Sequence, residues 1–335
     1  MKTRLALVMA AMILAGAAEG GERLVIRIAW ATVPAELTPV LFEKKDMLDH
    51  LGSSYTVEHL HFGPSATVLQ ALAAGEIDIA ALSPATFALA IRNAGLEDLR
   101  AVADDYQDGV AKRYSSEFMV RDAGPIRAVE DLRGRVVAVE AQGSMADLGL
   151  KTMLRRHGLE DVGFYREVEP PLANMGAMLE AGNIDLAALP APFTYVLKAR
   201  GSVRTLFTLR DALGPSQGLM LVARAGFLDA HRAALADFFE DYLRALRWFL
   251  DPAHRDEAVM IVASFTRAPR AMFDDYLFTA DDYYRDPDAR PNLAAVQKAM
   301  DALRAEGIID IAIDARPYAD PSFVEEAGRR LKQAR

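Results

Sequence analysis

The sequence predicts an α/β protein of two similar lobes, each a doubly wound mixed sheet flanked by helices, with a cleft between them. Two observations lead there. The segment Leu72-Ala73-Ala74-Gly75-Glu76-Ile77-Asp78-Ile79-Ala80-Ala81-Leu82 returns as Leu179-Glu180-Ala181-Gly182-Asn183-Ile184-Asp185-Leu186-Ala187-Ala188-Leu189, at a constant offset of 107 residues. Each copy is also preceded by an apolar strand followed by a helix, Leu24 to Trp30 in the first lobe and Val136 to Glu140 in the second.

In each copy a helical pattern ends at a glycine suited to the left-handed cap, a short apolar strand follows, and a new helix opens near Pro84 or Pro192. The offset is too long for a solenoid period, so one α/β unit is present twice. The order strand, helix, strand, helix, strand implies parallel strands joined by right-handed crossovers. Further strands are expected at Thr56 to Leu60 and Phe164 to Val168, and the chain is expected to cross between lobes at Glu117 to Val120 and Gln217 to Val222. Beyond the second crossing, Phe227, His231, Leu235, Phe238, Phe239, Tyr242, Leu246 and Phe249 recur at helical spacing and predict one long amphipathic helix. Helices around Glu257 to Phe265 and Leu293 to Glu306 should pack back on the first lobe. The expected organisation is therefore a leader at 1–17, a discontinuous first lobe at 18–118 and 223–335, and a second lobe at 119–222.

The leader is read from Lys2 and Arg4, the apolar run Leu5 to Leu14 and the small residues Ala15-Gly16-Ala17. That run is shorter than the roughly 20 residues a spanning helix needs. A chain without cysteine has no disulfides, thiolate metal sites, cysteine nucleophile or lipid-anchored cysteine, so export to the periplasm without an anchor is expected. The formal charge is −9, or −11 without Lys2 and Arg4, which disfavours nucleic acid as a partner. No HExxH, G-x-S-x-G or Walker A pattern occurs. His59 and His61 alternate on a predicted strand, read as a solvated face. No metal, cofactor or catalytic constellation is expected.

In open α/β sheets ligands lie beyond the carboxyl ends of the strands, where loops and helix N-termini gather and favour anions. The candidates are the loops there. Trp30 and Thr32 lie where the first strand leads toward Pro34; Trp30 would stack on a ligand or fill the core. Ser65 and Ala66 follow Gly63-Pro64 and either cap a helix or bind. Ser83 and Pro84 end the third strand. In the second lobe Gln142, Gly143, Ser144 and Met145 join a strand to a helix and form the favoured single site. Asn174 is either a donor or an N-cap, and Pro190 and Phe193 mirror Ser83 as an apolar wall. Arg113 and Tyr114 precede the first crossing; an inward Arg113 would match a carboxylate or sulfonate, an outward one only solvent.

The markers Ala74-Gly75-Glu76-Ile77-Asp78, Ile126 with Asp131-Leu132-Arg133-Gly134, Gly143-Ser144, the Pro170 to Met175 loop and Glu306-Gly307-Ile308-Ile309, in this order and spacing, resemble the periplasmic binding proteins for nitrate, taurine, aliphatic sulfonates and thiamine-pyrimidine precursors. The resemblance spans nearly the whole mature chain. It implies the two-lobed type II binding-protein fold and a monomeric receptor that delivers a small, usually anionic solute to an ABC permease in the inner membrane. Two other readings stay open: a pyrimidine-precursor synthase-like enzyme, which the lack of cysteine opposes, and a ligand-binding component for a sensor kinase or chemoreceptor.

Overall fold

The computed structural model describes residues 23–62, 65–159 and 163–333; the expected leader lies outside them, as do the side chains of Ser65 and Ala66. Ten strands form two five-stranded sheets. The first contains β1 (Leu24–Trp30), β2 (Tyr55–His61), β3 (Ile79–Leu82), β4 (Leu99–Asp108) and β10 (Ser216–Arg224) in the order β2-β1-β3-β10-β4. The second contains β5 (Glu117–Arg121), β6 (Val136–Ala138), β7 (Arg166–Val168), β8 (Leu186–Leu189) and β9 (Val203–Thr208) in the order β7-β6-β8-β5-β9. The orders superimpose: three parallel strands, then one antiparallel strand (β10 or β5), then an outer strand. In both sheets the antiparallel member is the strand the chain enters directly after crossing.

The repeat explains the match. Gly75 and Gly182 have φ of +72° and +78°, values that glycine adopts without the Cβ clash of other residues. The helix then ends in a 6→1 bond, from Glu76 N–H to the Ala71 carbonyl (2.9 Å) and from Asn183 N–H to the Met178 carbonyl (2.9 Å). Three residues past the glycine, the aspartate turns back to the neighbouring strand. Asp78 accepts from the Arg27 N–H (2.9 Å) and the Arg27 guanidinium (3.0 and 2.6 Å), while its own N–H donates to the Arg27 carbonyl (2.8 Å). Asp185 does the same for β6, accepting from the Val136 N–H (3.0 Å) and donating to the Val136 carbonyl (2.7 Å). The repeated aspartate is thus a brace that fixes where the third strand begins.

Several expectations are corrected. The strand read through Glu140 ends at Ala138, and that read from Phe164 begins at Arg166. The long helix is two, Ala225–Ala230 and Arg232–Leu250, meeting at His231, whose φ of −125° and ψ of 23° leave the helical region. Both segments predicted as crossings are interior strands, with the passages lying just before them at 109–116 and 209–215. Strands β4 and β9 were not anticipated. The acidic end of β4 hid it: Asp104, Asp105, Gln107 and Asp108 are buried there, because residues 284–289 cover this outer edge, with Asp104 N–H on the Ala289 carbonyl (2.8 Å) and Gln107 N–H on the Tyr284 carbonyl (2.7 Å).

His59 does not sit on a solvated face. Its ring packs at 5.5 Å from Phe42, both ring nitrogens are buried without a partner, and desolvation lowers its pKa from 6.5 to about 4. The unfolded chain therefore takes up a proton below about pH 6.5 that the folded chain refuses until about pH 4. This contribution is complete above the upper value and is lost as pH falls through the window, by up to about 3 kcal/mol. In urea unfolding at pH 7 and pH 4.5, His59→Leu should lose less stability between the two than the parent. Asp185→Ala, which strands the Val136 N–H, should lower stability by about 1–3 kcal/mol in the same measurement, with Asp185→Asn recovering part of it.

Candidate binding site

Because β5 and β10 run antiparallel to their neighbours, the carboxyl ends of the parallel strands point the same way as the starts of these two strands. The two sheets turn these edges toward each other. Between them lies a cavity of about 90 Å³, room for on the order of half a dozen waters. The first sheet contributes Ser83, Tyr106, Asp108, Gly218 and Leu219; the second lobe contributes Glu117, Phe118, Glu140, Met145, Ala146, Leu172, Ala188, Leu189, Pro190 and Leu209, with Ser116 from the passage between them. Around the cavity the lobes meet in one continuous apolar cluster that joins Phe87, Met300 and Leu303 to Leu148, Met153 and Leu209.

Of the residues anticipated from sequence, Ser83, Met145 and Pro190 line this cavity. The others have different placements, and at the loops after β1 and ahead of Met145 the reason is the same: a carboxyl group of the chain already accepts from free N–H groups there. No helix opens at Pro34; the next begins at Thr38. The Ala31 and Thr32 N–H groups donate to Glu36 (3.0–3.1 Å). Glu36 is buried, and desolvation raises its pKa to about 8. At the favoured second-lobe loop, the Gly143 N–H donates to Asp147 (2.7 Å), Ser144 Oγ accepts from the Asp147 N–H (3.2 Å) as a plain N-cap, and the Gln142 N–H donates to Glu169 (3.3 Å). Gly143 has φ of +74°, and a Cβ there would reach 2.5 Å from Leu89 Cδ1 of the first lobe; its role is to let the lobes touch.

Trp30 is packing material, 4.4 Å from the His61 ring and 5.5 Å from Phe265. Ser83 Oγ accepts from the Thr86 N–H (3.1 Å) and Pro84 is the buried first residue of that helix. Ser65 and Ala66 lie outside the described side chains. Asn174 is exposed within the helix Leu172–Ala181 rather than capping it, and Phe193 packs on the apolar cluster of the second lobe. Arg113 turns away from the cavity and donates to the Thr279 carbonyl. Tyr114 is buried, its hydroxyl bonded to Thr194 Oγ1 (2.6 Å). Next to it Tyr195 stacks on Tyr276 (4.1 Å, 8°) and donates to the Asp281 carbonyl (2.6 Å), so both residues join the lobes at the side of the cavity.

Sequence reasoning missed the polar wall. Asp108 closes β4 and accepts from Ser116 N–H (2.9 Å), Ser116 Oγ (2.8 Å) and Ser115 Oγ. Glu117 pairs with Lys198 (2.6 Å) and accepts from Thr205 Oγ1. Glu140, one turn of chain past β6, has its pKa raised by desolvation alone. The signal was present in the acidic ends of these segments, but without β4 it could not be aimed. Gly218 was likewise missed: a Cβ there would overlap the Tyr106 ring, so glycine is what lets that ring lie against β10 as the cavity wall. Among the described residues no group of three or more histidines or acids could hold a metal ion, and no helix is long and apolar enough to cross a membrane.

The sequence matches the family model described as NMT1-like over residues 26–263. The chain belongs to the NMT1-like family. A protein of Escherichia coli (strain K12) named for binding aliphatic sulfonates is 24% identical over 246 residues, 71% of each chain. In fold, the chain is similar to the periplasmic nitrate-binding protein NrtA of Synechocystis PCC 6803, with a TM-score of 0.75 at 14% identity over 92% of this chain and 89% of that one. It is also similar to the desulfurization enzyme DSZB, at 0.65 and 15% over 92% and 100%. The two-lobed periplasmic-binding-protein fold expected from sequence is the one this NMT1-like chain adopts.

Gly218→Ala should push the Tyr106 ring into the cavity, lowering stability by about 1–3 kcal/mol in thermal or urea unfolding. Gly226→Ala, where an added Cβ meets nothing, should be close to neutral in the same assay.

Proposed function

We propose that this protein is the extracytoplasmic solute receptor of an ABC importer, a binding protein and not an enzyme, which captures one small solute between its lobes and presents the closed form to a membrane permease. The observation that carries the reading is the cavity walled by the carboxyl edges of both sheets, with the chain passing between lobes only beside it. The passages 109–116 and 209–215 touch each other: Leu209 N–H donates to the Ser116 carbonyl (2.8 Å) and Arg210 N–H to Ser115 Oγ (2.9 Å). Rotation about this paired segment would open the cavity, and a solute contacting both walls favours the closed arrangement by its differential affinity.

Kinship with a protein named for sulfonate binding supports the receptor reading. Action as a monomer in the periplasm, without nucleic acid, fits the acidic charge. A sensor as the reader of the closed form would use the same mechanism, and delivery to a permease is what the resemblance drawn above implies.

A thermal-shift screen of the ligand-free protein with sulfonates, carboxylates, nitrate, amines and pyrimidines should give one class that raises Tm by several degrees and titrates to a single site. Leu172→Trp, which fills the cavity, should weaken that binding at least tenfold, or about 1.4 kcal/mol. Unchanged affinity would place the site elsewhere.

A further inference from the structure

We propose that the solute is a small organic cation, an ammonium or amidinium compound of a few non-hydrogen atoms, with its charge held by Glu140. This rests on the receptor reading above and names the class of solute for the same cavity. Three carboxylates line the cavity, Asp108, Glu117 and Glu140, and no lysine, arginine or histidine does. Two of the three are engaged: Asp108 by the two serines beside it and Glu117 by Lys198 and Thr205. Glu140 alone lacks any ion pair or hydrogen bond among the described residues, although its side chain is accessible from the cavity. Glu140 is exposed to the water of the cavity, and a solute that displaces this water strips the carboxylate of its hydration at a cost in free energy unless the solute brings a countercharge. Here the protein supplies none.

Loop N–H groups that could hold an anion are taken by the chain's own acids. Glu36 takes the Ala31 and Thr32 N–H groups at the end of β1, and Asp147 takes the Gly143 N–H just ahead of the helix Met145–Arg156. Of the two arginines in the passages, Arg113 is committed to the Thr279 carbonyl and Arg210 does not line the cavity. Besides the acids the lining includes Tyr106, Ser83, Ser116 and apolar residues, with Phe118 fully buried and stacked on Phe207. Aromatic faces attract a cation, the hydroxyls accept from its N–H groups, and the aliphatic wall covers its carbon part.

The test uses a charge series of similar size, n-butylammonium, acetamidinium, butanoate and propanesulfonate, in isothermal titration at pH 7.5 and low salt. Alongside it, the protein is equilibrated with yeast extract, washed, denatured, and the released small molecules are read by mass spectrometry in both ion modes. Expected are binding by the ammonium or amidinium probe, a fall of at least tenfold in Glu140→Gln and in Glu140→Ala, both checked for an unchanged melt, and release of a cation from the parent but not from Leu172→Trp. Binding of butanoate or propanesulfonate that strengthens in Glu140→Gln, or release of an anion, overturns the cation while leaving the receptor standing. No binding by any probe together with no released molecule overturns the receptor reading and the cation with it.

Discussion

Each sheet is completed by a strand that reaches it from the other lobe, and this exchange fixes almost everything else. Strand β5 follows β4 across the gap and inserts between β8 and β9; β10 follows β9 back and inserts between β3 and β4. An antiparallel insertion must start at the edge where the parallel strands end. The two passages therefore leave one carboxyl edge and arrive at the other, so the edges face each other and the passages run side by side. Cavity, connection and pseudo-symmetry are one consequence of a single topological choice.

Much of this was legible because the repeat is enforced by backbone chemistry. A left-handed cap at Gly75 or Gly182 and a brace at Asp78 or Asp185 leave little freedom in the residues between, and the likeness survives at the level of sequence. The antiparallel strands were legible as apolar runs, though not their place inside the sheets. What sequence could not reveal depended on distant partners. Strand β4 reads as a polar loop until residues 284–289 are known to cover it, with Gln217 donating to Asp104 (2.6 Å) and Asn292 to Gln107 (3.0 Å).

The candidate site was less legible for a related reason. Loops that end strands and begin helices do offer unpaired N–H groups. The principle does not say who occupies them. In this chain the carboxyl groups of Glu36, Asp147 and Glu169 come back to the loops as internal acceptors, and they lie four or five residues away in the first two cases and 27 residues away in the third. A carboxylate at short range after such a loop is a readable warning that the site is filled from within, and it could have been weighed from sequence alone.

The order in which the strands occur along the chain also bears on how the protein is made. All five strands of the second sheet lie within residues 117–208, so that sheet can be completed from one contiguous stretch. The first sheet has a gap between β3 and β4 until residues 216–224 are present, and its acidic outer edge stays uncovered until residues 284–289 follow. An emerging chain thus carries an open, unpaired strand edge for more than a hundred residues of synthesis, a condition that invites mispairing. The buried acids of β4, charged while they remain in water, are well suited to keeping that edge solvated until its cover arrives.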